Sequence, residues 1–188
     1  MFIHPRLSGA KRGGFTLVEL VIVVTIIIAL AGVVTPRLTR IAEKADYARA
    51  ATELKSIKRA AEILYADTGF FPDLQLVGVD PGFNDPAMVP AAVRSDWRGP
   101  YLETWPVENP FGGGYRFEYR NRGDFNFDGV TGNEVYISID GGVDDTSMQL
   151  IDEIIDDGNT ATGMARRINA RKLAFFIGEG PDLSLIHI

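Results

Sequence analysis

The sequence predicts an α+β fold: one long N-terminal helix, apolar in its first half and amphipathic in its second, packed on a small antiparallel sheet. Residues 15–35 hold a single charged side chain, Glu19, in a run close to the ~20 apolar residues that cross a bilayer. Apolar residues then recur at helical spacing as far as Leu64. Further on, two runs alternate with period two, as half-buried strands do, at 115–119 and 135–139.

Residues 1–14 precede this run and hold the basic residues Arg6, Lys11 and Arg12. Three fates fit the apolar run that follows. A conventional signal peptide would be cut at Ala29-Leu30-Ala31, a plain anchor would be kept whole, and a third kind of segment would be cut between Gly14 and Phe15. Flanking charge does not set the orientation, because Arg37, Arg40 and Lys44 match the basic residues before the run. Beyond residue 36, Leu38, Ile41, Ala45, Ala48, Ala51, Leu54, Ile57, Ala61 and Leu64 make an apolar stripe continuous with the run. A helix over 15–67 would be on the order of 80 Å long at 1.5 Å per residue, and Gly69 and Pro72 stop it. Pro36 has no N–H for the carbonyl of Gly32, and glycine is a poor helix former, so 32–36 is the weakest part. Glu19 costs on the order of 3 kcal/mol if it is ionised inside the bilayer. It either reaches the headgroups or is kept for a partner.

The stretch "GGFTLVELVIVVTIIIALAGVVTPRL" resembles the N-terminus of type IV prepilins and of the pseudopilins of type II secretion. The resemblance implies that a prepilin peptidase cuts after Gly14 and methylates Phe15. It also implies that Glu19 pairs with the amino group of Phe15 on a neighbouring copy, and that Pro36 closes the apolar half of a lollipop-shaped subunit. Its parts would be the leader 1–14, a transmembrane and filament-core half 15–36, an amphipathic half 37–69 and a periplasmic globular domain 70–188. The implied function is that of a major pseudopilin, a single-pass inner-membrane protein that polymerises with itself to drive protein export. Its partners would be minor pseudopilins and an inner-membrane assembly platform. A type IV pilin subunit for adhesion, twitching or DNA uptake is the alternative, and a membrane-tethered calcium-dependent hydrolase a remote one.

After Gly69 the texture turns to Gly, Pro and aromatic residues, as in "WRGPYLETWPVENPFGGGYRF", which predicts a long ordered loop with Trp97, Tyr101 and Trp105 packed on the helix. The two strands follow. Between them Asp124, Asn126, Asp128 and Gly129 match the first half of a calcium loop, whereas the acid expected at its twelfth position is Val135. A second acidic turn supplies Asp140, Asp144 and Asp145, and the resemblance places calcium here, since major pseudopilins bind it in the loop after the corresponding strand. Residues 146–157 predict a short amphipathic helix with Met148, Ile151 and Ile155 inward and Asp152, Glu153, Asp156 and Asp157 solvated. The tail from 163 has no assigned role beyond packing or subunit contacts.

The formal charge of −6 becomes −9 without the leader, sixteen basic residues against twenty-five acidic, so nucleic acid is not an expected partner. Arg166, Arg167, Arg171 and Lys172 are expected on the solvated face of a short helix. No cysteine is present to staple the domain. The histidines are His4 and His187, one in the leader and one next to the last residue, and "FGGGY" opens a strand instead of a helix; no enzyme is expected.

Overall fold

The computed structural model describes residues 14–72, 76–120, 127 and 134–180, with the backbone alone at 119–120. Helix α1, Leu17–Thr68, carries the whole N-terminal pattern. Gly69 ends it at φ 66°, donating its N–H to Tyr65 O at 2.7 Å, while Thr68 Oγ1 donates to Leu64 O at 2.7 Å. The chain divides into two compact units, Met1–Ala42 and Glu43–Ile188.

In the first unit the valines and isoleucines of α1 are weak helix formers by propensity, yet the run is helical from Leu17 on and long and apolar enough to cross a bilayer. Thr25 Oγ1 bonds to Val21 O at 2.7 Å and Thr35 Oγ1 to Ala31 O at 2.8 Å, so each hydroxyl is satisfied within its own helix.

In the second unit the buried face of α1 is Ala50, Ala51, Leu54, Ile57, Ala60, Ala61 and Leu64. Leu38, Ile41, Ala45 and Ala48, expected in the same stripe, are exposed. The core reaches α1 first at Tyr47, which is half-buried and stacks on Phe111, and full burial starts at Ala50.

Among the described residues, four antiparallel strands, β1 Gly114–Arg120, β2 Glu134–Asp140, β3 Ala165–Asn169 and β4 Lys172–Glu179, lie in the order β1-β2-β4-β3. Helix α2, Asp145–Ile155, connects β2 to β3. The predicted strands are β1 and β2, with Phe117 opposite Ile137. The tail adds the rest, and β4 enters the middle of the sheet with Phe175 opposite Ile137. Arg166, Arg167 and Lys172 therefore lie on strands and Arg171 in the turn between them, not on a helix. Arg166 stands over the Phe127 ring at 4.9 Å, Arg167 pairs with Asp145 at 3.0 Å, and Lys172 pairs with Glu118, so these cations are held within the domain.

One face of the sheet sends Tyr115, Phe117, Val135, Ile137, Ile139, Leu173, Phe175 and Ile177 into the core shared with α1. The other face is also covered: Phe127, Tyr136 and Ala174 form a smaller core, flanked by Ile168 and Phe176. Beside it the Glu118 carboxylate, fully buried, accepts from Tyr136 Oη at 3.2 Å and Ser138 Oγ at 2.8 Å and pairs with Lys172.

The aromatic loop packs as predicted. Trp105 is buried in the core, with Trp97 and Tyr101 against it. Tyr101 Oη donates to Asp67 at the end of α1 (3.0 Å) and Trp97 Nε1 to Gly82 O (2.9 Å). Asp80 accepts four backbone N–H groups, from Gly82, Phe83, Asn84 and Asp85. Buried Asn109 accepts from Phe111 and Gly113 N–H and donates to Gly114 O, which closes the turn before β1. Gly142 leaves β2 at φ 73°, and a Cβ there would collide with the carbonyl of Phe111. Gly142→Ala is expected to lower stability by more than about 1 kcal/mol, measured by thermal melting, because both the backbone conformation and the close approach exclude a side chain.

Candidate functional site

The start of α1 is set by Thr16 and Glu19. Glu19 N–H donates to Thr16 Oγ1 at 3.2 Å, and Glu19 Oε2 accepts from Thr16 N at 2.9 Å and from Thr16 Oγ1 at 2.8 Å. This reciprocal pair is a capping box, which satisfies two backbone donors that the first helical turn leaves free. The spacing Thr-x-x-Glu is its signature, so the role was available in the sequence. Residues 14–16 precede the helix and are exposed, and every residue from 14 to 45 is exposed. Phe15 is 80% exposed, and a Cβ at Gly14 would meet nothing within 4 Å. Helix α1 continues through Pro36.

The three acids of the turn after β2 go to three different partners. Asp140 pairs with Arg116 at 2.6 Å, with Lys172 at 3.9 Å beyond it. Asp144 is the N-cap of α2, accepting from Ser147 N at 2.8 Å, and the Ser147 backbone N–H and hydroxyl hold its carboxyl below the usual carboxylate range. Asp145 pairs with Arg167. Asp144→Ala is expected to cost about 1 kcal/mol through the lost cap. Because the folded state favours the ionised form, this contribution is present above about pH 4 and fades as pH falls below it, which melting curves across that range would record. Asp124, Asn126 and Asp128 lie outside the described residues.

A different set of acids is brought together at the other end of α2. Asp152, Asp156 and Asp157 offer carboxylate oxygens within 4.8 Å of one another. Asp152, expected to be solvated, is fully buried, and neither of its oxygens has a hydrogen-bond partner. Burial pushes its carboxyl up to about 6, and the charges of Asp157 and Asp156 add to the shift. Helical spacing explains the burial: Asp152 stands four residues from Met148 and three from Ile155, on the face that packs inward. That signal was legible beside the apolar positions.

An exposed apolar helical segment, an N-terminal carboxylate held at its first turn and an antiparallel sheet packed on the later turns define a pilin-like subunit. The profile of the PilW C-terminal family matches residues 41–131. Type II secretion system core protein G of Aeromonas hydrophila is 31% identical over 106 residues, which are 56% of this chain and 72% of that protein. The same protein of Escherichia coli K12 is 30% identical over 105 residues, 56% and 70% of the two chains. The chain belongs to this family, the major pseudopilins of type II secretion. Among solved structures, the major type IV pilin PilA1 from Clostridium difficile aligns over 72% of this chain and 96% of its own, at 16% identity and a TM-score of 0.42.

Proposed function

We propose that this chain is the main structural subunit of a type II secretion filament. The peptidase cuts between Gly14 and Phe15 and methylates Phe15. The subunit then waits in the inner membrane, residues 15–36 in lipid and the globular domain in the periplasm, until the assembly platform adds it to a filament of further copies tipped by minor pseudopilins. One observation supports this above the others: every residue from 14 to 45 is exposed, although the part from 17 to 36 is apolar and helical. Such a surface has to be covered by lipid or by like helices.

In the filament the Glu19 carboxylate exchanges its capping contacts for the amino group of Phe15 on the next copy. Since water is excluded there, an unpaired carboxylate penalises every wrong register. N-terminal sequencing of the mature protein tests the first step, with Phe15 expected; a chain starting at Gly32 would sink the proposal. Gly14→Ala should accumulate uncut. Because a methyl at Gly14 touches nothing in the fold, that failure reports on the peptidase's requirement for glycine.

A further inference from the structure

Among the described residues, no cation pairs with the acids at the C-terminal end of α2. Asp152 is fully buried with both oxygens unpartnered, and Asp156 and Asp157 follow at the end of the same helix. The negative end of the helix dipole lies there, and the last turn of α2 holds no basic residue. Lys55 of α1 reaches this end and donates to the carbonyl of Ile154 at 3.2 Å, not to an acid. Arg167 of β3 is taken by Asp145 at the opposite end of α2.

The loop that follows is closed around these acids. Asp156 Oδ2 accepts from Met164 N at 2.6 Å and Asp157 Oδ1 from Asn159 N at 2.8 Å. Gly163, at φ 76°, lies so close to Asp156 that a Cβ would strike its carboxylate. One oxygen of each acid thus shapes the loop.

We propose that Asp152, Asp156 and Asp157 hold a divalent cation of the calcium class, at a site separate from the turn after β2. The donors are oxygens alone, which selects a hard cation over a transition metal. Calcium–oxygen distances of ~2.3–2.6 Å put ligands on opposite sides of one ion about 4.6–5.2 Å apart. The three carboxylates, within 4.8 Å of one another, are spaced as ligands of a single ion of this size. The ion would supply the partner that Asp152 lacks and offset the crowding of charge at the helix end.

The test is a melting curve of the full chain in detergent micelles, first in chelator and then in calcium up to ~10 mM, a range that covers weak extracellular sites. Calcium is expected to raise Tm in the wild type and in Glu153→Gln, an exposed neighbour on α2. Asp152→Asn and Asp157→Asn should each lose at least half of that rise. Asp157 is exposed, so its variant keeps the test informative even where the buried Asp152→Asn fails to fold. Magnesium should give a smaller rise, because it dehydrates reluctantly and demands octahedral geometry. No rise in the wild type, a full rise in Asp157→Asn, or an equal rise with magnesium would each overturn the site.

Discussion

Cells whose only copy of this chain carries Glu19→Gln should contain processed, membrane-inserted subunit at normal abundance and no filament. Glutamine serves a capping box as glutamate does, so the contacts with Thr16 survive the substitution and the start of α1 is preserved. What disappears is the charge. The amino group of Phe15 on the adjoining copy would then be left without a counter-ion away from water, at a cost of roughly 3–5 kcal/mol. That is a hundredfold or more per added subunit, at about 1.4 kcal/mol per tenfold. Glu19→Val removes cap and charge together and should behave alike. Thr16→Val removes the box and leaves the carboxylate, at about 1 kcal/mol in helix-end stability, and should still assemble. Filament yield in sheared fractions separates the two roles: growth with Glu19→Gln together with failure of Thr16→Val would make Glu19 a helix cap and nothing more.

Lys172→Met should strongly destabilise the globular domain, by roughly 3–5 kcal/mol. Glu118 is fully buried between β1 and β2, and Lys172, at the start of β4, supplies its counter-charge across β2. Methionine fills much the same volume, so the loss is electrostatic: the buried carboxylate keeps the hydroxyls of Tyr136 and Ser138 and loses the Lys172 ammonium. At about 2–4 °C per kcal/mol for a chain of this size, the melting temperature should fall by roughly 10 °C. Adding Glu118→Gln should recover more than half of the loss, because the charge that needed a partner has gone. A Lys172→Met chain within ~1 kcal/mol of the wild type would mean that the pair contributes little beyond packing.

Much of the apolar helical segment and of the first two strands was legible because the signals are local. The apolar run, the three-and-four spacing to Leu64, the Gly69 stop and the alternation at 115–119 and 135–139 each depend on residues within a few positions of one another. The capping box was equally local, and Thr16 and Glu19 stand at the spacing it needs. The stripe failed at Leu38, Ile41, Ala45 and Ala48 because periodicity says which face is apolar and not how far along the helix the partner extends.

The sequence by itself determined the long helix, its single carboxylate at the first turn, β1 and β2, and the aromatic loop that packs against them. Only the tertiary structure decided that β4 lies inside the sheet, that Lys172 neutralises Glu118, that Asp140, Asp144 and Asp145 part to Arg116, Ser147 and Arg167, and that Asp152, Asp156 and Asp157 meet. Strand order and ion pairing join segments tens of residues apart. The free energy that selects among such pairings is the burial of the two faces of one sheet, a property of the assembled core that no short window of residues contains.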